Sequence, residues 1–285
     1  MTDKYALFLG CTIPTKDFGY EASLRKVCGK IGIEIADMEG YICCGYPSET
    51  PVAHDTWLAM SAYNIALAED MGLDMMVPCN GCYGALKRAN KILKEDAKER
   101  EHINEILKDT GRHVKGEIEI KHLIEVLHSK KDEIVKLIKK PLKIAAAPHL
   151  GCHIIRPSEI MQLENPDILD EMIELTGAES VDYTSKDKCC GNVLRGLDEK
   201  ISLEISKEKL QELKDAGADC MITICPACHI QYDLGQMEIK TKYKEEYGIP
   251  VLHYPQLLGL AMGLGADELG IPFLKVKADE MLAKL

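Results

Sequence analysis

The sequence predicts an α/β protein built as two pseudo-symmetric repeats, each with a small, mainly parallel sheet and flanking helices. Two observations predict it: a cysteine pattern written twice, and a strand–helix–strand order of apolar runs that recurs in each half. The first half reads Cys11, then Cys43-Cys44-Gly45, then Cys79-Asn80-Gly81-Cys82; the second reads Cys152, then Cys189-Cys190-Gly191, then Cys225-Pro226-Ala227-Cys228. In both, 35 positions separate the second cysteine of the pair from the CxxC. The first cysteine precedes the pair by 32 residues in one half and 37 in the other, a difference one loop absorbs.

The flanks repeat too. Leu9-Gly10-Cys11 matches Leu150-Gly151-Cys152, and Met71-Gly72-Leu73-Asp74 matches Ala216-Gly217-Ala218-Asp219. His122-Leu123-Ile124-Glu125-Val126-Leu127 resembles His253-Tyr254-Pro255-Gln256-Leu257-Leu258. Residues 5–9 and 143–147 read as short buried strands that lead to the first cysteine of each set. Residues 54–71 and 201–216 read as helices, with Leu58, Ala62 and Ile65 on one stripe and Leu203, Leu210 and Leu213 on the other. Gly72 and Gly217 mark their ends. The apolar runs 75–77 and 221–224 then lead as strands into the CxxC turns. The charged stretch 87–140 reads as a solvated helical hairpin joining the halves. The division falls near Pro141, giving cysteine-rich, cluster-binding domains over 1–140 and 141–285.

At 285 residues, 46% hydrophobic and 28% charged, the composition is globular and the length suffices for two cores. A net charge of −11 argues against a nucleic-acid partner, which would need a basic face. Residues 5–9 are too short for the apolar core of a signal peptide. The run 251–263 is broken by His253, Pro255 and Gln256 and falls short of the ~20 residues a membrane span needs. The expectation is a soluble, cytoplasmic protein without a transmembrane segment. Twelve cysteines in such a compartment stay reduced and serve as metal ligands or catalytic groups.

Each half offers five repeated cysteines, more than a tetrahedral zinc site takes. Adjacent cysteines diverge in regular structure, so Cys43-Cys44 and Cys189-Cys190 reach one object only at a turn or when the object is larger than one ion. The glycine after each pair permits the turn. Multi-iron clusters accept thiolates from several directions, and the ferredoxin run C-x₂-C-x₂-C-x₃-C is absent. Zinc, and a thioredoxin-like role for the CxxC beside a βαβ pattern, remain the alternatives. Cys28 and Cys220 lie outside the repeat and read as small buried apolar residues.

The doubled signature Cys…Cys-Cys-Gly…Cys-x-x-Cys resembles the paired cysteine-rich CCG domains of the heterodisulfide reductase B subunit, over nearly the whole chain. The resemblance implies two noncubane [4Fe–4S] clusters, one on Cys11, Cys43, Cys44, Cys79 and Cys82, the other on Cys152, Cys189, Cys190, Cys225 and Cys228. It implies reduction of the mixed disulfide of coenzyme M and coenzyme B, in the energy metabolism of methanogens. It also implies an iron–sulfur C subunit as immediate donor, itself supplied by a flavin-bearing A subunit, in a complex that can include a hydrogenase or formate dehydrogenase. The related alternative is an electron-transfer subunit of a lactate, glycolate, succinate or fumarate oxidoreductase. A zinc-stabilised scaffold is the third.

The product thiols need protons. His153, beside Cys152, is the candidate catalytic donor, or else a histidine that only hydrogen-bonds a sulfur. His149, His229 and His253 read as structural. Arg156, Lys186, Lys188 and Arg195 are near second-half cysteines in sequence and are candidate anchors for an anionic substrate, or surface charges. The apolar 257–264 segment is either a docking face or core. No GxGxxG follows a strand, so electrons must come from a partner.

Overall fold

The computed structural model describes residues 3–46, 53–161, 163 and 165–285. The chain forms two four-stranded sheets, and every strand pair is parallel. The first has the order β2 (Glu34–Asp37), β1 (Lys4–Leu7), β3 (Met75–Val77), β4 (Ile120–His122). The second repeats it with β6 (Glu179–Ser180), β5 (Ala145–His149), β7 (Cys220–Thr223), β8 (Val251–His253). The two-repeat α/β architecture is thus as the sequence predicts.

In each sheet the chain leaves the first strand toward one edge and returns to the other side of it. Neighbouring strands then feed connections on opposite faces, and a crevice opens at their carboxyl ends. Leu7 pairs with Met76 in one sheet and Ala147 with Met221 in the other. The loops that follow those strands carry Cys11 and Cys79, and Cys152 and Cys225. The cysteine motifs therefore sit at the two switch points by topology alone.

The helices 54–71 and 201–216 form as His54–Asp70 and Glu199–Asp215, the second capped by Asp198, which accepts from the Ile201 N–H at 3.0 Å. The twin sequences at 122–127 and 253–258 become twin capping boxes. Glu125 accepts from the His122 N–H at 2.7 Å, and Gln256 from the His253 N–H at 2.8 Å.

One expectation is corrected and one open alternative is decided. The stretch 87–140 is not simply a solvated hairpin. The helices Asn80–Glu95 and Ala97–Leu107 bury Leu93, Ile103 and Leu107, and Ile120–His122 is the fourth strand of the first sheet. Three residues are too few to display a strand period against a charged background. The 257–264 segment is core, not a docking face: Leu257, Leu258 and Ala261 are fully buried.

That burial comes from the Tyr254–Ala261 helix of the second half packing on the Phe18–Ile31 helix of the first. Gly19 lies against Gly270 so closely that a Cβ on it would fall 2.8 Å from the Gly270 carbonyl oxygen. Tyr20 stacks on His253 with ring centroids 3.6 Å apart. The buried Asp17 carboxylate sits 2.7 Å from His253 Nε2 and 3.3 Å from His229 Nδ1. Burial opposes its ionisation, but the two imidazoles outweigh it and hold the carboxyl well below the usual range. A depressed folded-state value means that this contribution to stability is complete above the unfolded value of about 4 and fades as the pH falls further. Removing one partner of a buried pair costs roughly 3–5 kcal/mol. Asp17→Ala is therefore expected to lower Tm by many degrees at pH 7, and the gap from the parent protein should narrow in acid. Equal Tm values at pH 7 would refute the role of Asp17 as a clamp between the halves.

Candidate functional site

Cys79 and Cys225 are the N-cap residues of the Asn80–Glu95 and Pro226–Tyr243 helices, with φ of −140° in both. The CxxC spacing then places Cys82 and Cys228 in the first turn, where backbone N–H groups lack helical partners and favour negative charge. After each Cys-Cys pair the glycine turns left-handed, with φ of +77° at Gly45 and +81° at Gly191, a conformation L side chains disfavour. The turn brings the Gly45 and Gly191 N–H groups back onto Cys43 Sγ and Cys189 Sγ, at 3.4 Å in both halves.

Nine of the ten motif thiols form one continuous series of neighbours, without Cys11. Cys43 touches Cys44, Cys44 touches Cys82, and Cys82 touches Cys79. Cys79 then neighbours Cys225 across the boundary between the halves. Cys225 leads to Cys228, which lies 3.5 Å from Cys190 Sγ, and from Cys190 the series runs through Cys189 to Cys152. Nine of the ten motif cysteines line a single cavity of about 160 Å³; Cys43 stands behind Cys44. Cys28 and Cys220 are fully buried away from it, and burial pushes the Cys28 thiol up to about 12. A larger groove of about 730 Å³, between Lys214 and Lys284, contains none of the motif cysteines.

Such crowding sets what the site can hold. Hydrogen bonds from neighbouring thiols lower Cys44, Cys189 and Cys225, whereas the thiols beside them, Cys43, Cys152 and Cys82 among them, are pushed up. The ten cannot all become thiolates unless cations compensate them. Among the described residues, no group of three motif thiols is compact enough to ligate one ion. A donor set this large and this spread fits a polynuclear metal–sulfur centre in each half better than a single tetrahedral ion.

The rest of the lining is polar on one wall. His153 enters the cavity, and its Nε2 lies 2.5 Å from the Tyr46 hydroxyl of the other half. Burial lowers the His153 pKa, so the ring is neutral near pH 7. Asn80 donates to the Leu150 carbonyl at 2.7 Å, again between halves, while its buried Oδ1 lacks a protein partner. Thr12 and Asn192 also line the cavity.

The four proposed anchors lie elsewhere. Lys186 pairs with Asp170 at 2.7 Å, Lys188 with Glu208 at 3.1 Å, and Arg195 with Glu238, while Arg156 points to solvent; none lines the cavity. Nearness in sequence to a cysteine does not aim a long side chain at it. His229 and His253 hold Asp17, and His149 accepts from the buried Lys209 ammonium at 3.1 Å. Sequence reasoning missed Tyr46, Asn80, Asp17 and Lys209. Tyr46 directly follows Cys-Cys-Gly and Asn80 lies inside a CxxC, so position alone could have flagged those two.

A doubled switch-point fold with every repeated cysteine gathered at its centre defines a duplicated cysteine-rich domain protein. The CCG cysteine-rich domain family matches residues 5–87 and 146–233. Over 99% of its length the chain is 41% identical to the B subunit of the Ferredoxin/F(420)H(2)-dependent CoB-CoM heterodisulfide reductase of Methanosarcina acetivorans, covering 97% of that protein. It is 30% identical over 95% of its length to the 8-methylmenaquinol:fumarate reductase membrane anchor subunit of Wolinella succinogenes, covering 96% of it. The fold also matches a hypothetical protein from Helicobacter pylori, with a TM-score of 0.76 at 18% identity; 97% of this chain spans about half, 52%, of that one. The chain belongs to the family of heterodisulfide reductase B subunits, which are iron–sulfur oxidoreductase components. Among the described residues, no helix is long and apolar enough to cross a membrane.

The packing yields a direct test. Gly10 has φ of +67°, and a Cβ there would lie 2.9 Å from Cys82 Sγ. Gly10→Ala is expected to displace Cys82 and lower bound iron, as read by iron and acid-labile sulfide analysis of anaerobic protein. Full iron content would show that the Gly10–Cys82 approach is not needed to build the site.

Proposed function

We propose that this chain is the catalytic iron–sulfur subunit of a heterodisulfide reductase, reducing the mixed disulfide of coenzyme M and coenzyme B to the two thiols in methanogenic energy metabolism. Cys11, Cys43, Cys44, Cys79 and Cys82 hold one noncubane [4Fe–4S] cluster, and Cys152, Cys189, Cys190, Cys225 and Cys228 hold the other. The observation that carries this reading is the single cavity bordered by both sets, joined at Cys79 and Cys225. Two independent relay centres would have no reason to share a hollow.

Cleaving a disulfide takes two electrons and leaves two thiolates, which two protons convert to thiols. Bound clusters supply electrons one at a time, so a pair facing one pocket matches the count. The chain's own groups do the rest. The cavity admits the disulfide, and the charged tails of the substrate stay outside it. His153, neutral at rest and hydrogen-bonded to Tyr46, takes up a proton from solvent and passes it to a departing thiolate, and the Tyr46 hydroxyl holds the ring in place. The Asn80 amide, tied to Leu150, braces the wall between them. The chain has no nucleotide fingerprint of its own, so an iron–sulfur C subunit delivers the electrons, fed by a flavin-bearing A subunit and, further upstream, a hydrogenase or formate dehydrogenase, in the cytoplasm.

Anaerobic protein is expected to contain about eight iron atoms per chain and little zinc. Cys43→Ala or Cys190→Ala should remove one cluster and abolish disulfide reduction by a reduced artificial donor; half-activity would mean that each centre works alone. His153→Ala should keep its iron while turnover falls roughly 10²–10⁴-fold. A protein with full iron that accepts electrons but never cleaves the heterodisulfide would instead be a relay subunit, of the kind named in the Wolinella relative.

A further inference from the structure

We propose that Lys209 and His149 make the second-half centre the easier of the two to reduce, so that an electron from an outside donor settles there first. The inference rests on the reading of two iron–sulfur centres given above and assigns them unequal roles.

Equivalent positions in the two repeats differ in charge. The Glu199–Asp215 helix and the His54–Asp70 helix occupy the same place in their repeats, and each aims one polar side chain at the loop entering the Cys-Cys pair. In the first half this is Asn64, whose amide donates to the Ile42 carbonyl at 3.0 Å and accepts from the Ile42 N–H at 2.9 Å. In the second it is Lys209, which donates to the Lys186 and Lys188 carbonyls at 3.1 Å each. Ile42 and Lys188 are the residues immediately before the two pairs. The mechanical task is the same, but one half performs it with a neutral amide and the other with a cation.

Lys209 is 1% exposed. Its third partner is His149 Nδ1 at 3.1 Å, so its three acceptors match the three donors of an ammonium. With Nδ1 accepting, the His149 ring carries its proton on Nε2, which is buried with no other protein partner. A His149 ring nitrogen, Cys190 Sγ and Cys228 Sγ lie within 4.8 Å of one another. The residue in the equivalent position of the first half, two before Gly10, is the fully buried Phe8. Thus the second centre has a buried positive charge and an imidazole beside its thiols, where the first has an amide and a phenyl ring. Positive charge and hydrogen bonds to sulfur stabilise an added electron, most strongly where water is excluded. The partially compensating acids near Lys209 are Glu212, half-buried, and Asp187, exposed to solvent.

The step involves one electron from an external reductant and no bond change. The test is an anaerobic redox titration of the full chain with dithionite, followed by electron paramagnetic resonance, with Cys43→Ala used to assign the signal of the second-half centre. Lys209→Asn copies the first half at one position and His149→Phe at the other; the second leaves the loop anchor in place if the first disturbs folding. In the parent protein the second-half centre should be reduced first. At fixed potential its ratio of reduced to oxidised centre should drop about tenfold in Lys209→Asn, equivalent to ~59 mV for one electron, with the first-half signal unmoved. His149→Phe should shift it in the same direction. Centres that titrate together in the parent, unchanged midpoints in both variants at full iron, or loss of second-half iron from both variants would overturn the proposal. Absence of iron and labile sulfide from the parent protein would instead refute the reading of two centres.

Discussion

Cys79 and Cys225 face each other as neighbours across the boundary between the two sheets, and the structure is organised around keeping them there. Ten thiols brought this close repel one another once ionised, so the protein must confine them by packing that the thiols themselves do not supply. It does so by ending two buried strands of each sheet at the same crevice. Each CxxC then starts a helix whose first N–H groups face the sulfurs. Cations bound among the thiolates turn the repulsion into attraction, which is why this arrangement belongs with a cluster and not with disulfides.

Confinement of the centre depends on contacts some distance from it. The Gly19–Gly270 approach lets the Phe18–Ile31 helix lie close on the second half, and the Tyr20–His253 stack and the Asp17–imidazole contacts hold them in that position. His229 follows Cys228 in the chain, so the same Asp17 that clamps the halves also fixes the first turn carrying a cavity cysteine. Asn80 and the Tyr46–His153 pair add polar links inside the cavity wall. Each of these bonds joins one repeat to the other.

Duplication produced two equal frames, and substitution has made their linings different. Thr12 stands where the second half has His153, Tyr46 where it has Asn192, Phe8 where it has His149, and Asn64 where it has Lys209. The motif cysteines and the left-handed glycines after each pair recur in both halves, and the capping boxes recur with Glu125 in one and Gln256 in the other. These four differences lie at or near the sulfurs and the cavity. A symmetric scaffold with an asymmetric lining can treat the two ends of an unsymmetrical substrate differently.

Much of this was legible in the residue order. The repeat, the parallel sheets, the helices 54–71 and 201–216 and the gathering of cysteines at strand ends follow from spacing and apolar period, which are local properties of the chain. The short strand Ile120–His122 was hidden, because three residues carry no period, and the 257–264 segment stayed ambiguous, because apolarity does not say what will cover it. Sequence could not tell that both cysteine sets open on one cavity, that Tyr46 meets His153, or that Lys209 rather than Lys186 or Lys188 is the buried cation of the site. The reason is physical: periodicity records which face of an element is apolar, whereas these contacts depend on how two separately built sheets dock. That docking is decided by close approaches such as Gly19 on Gly270, between residues far apart in the chain.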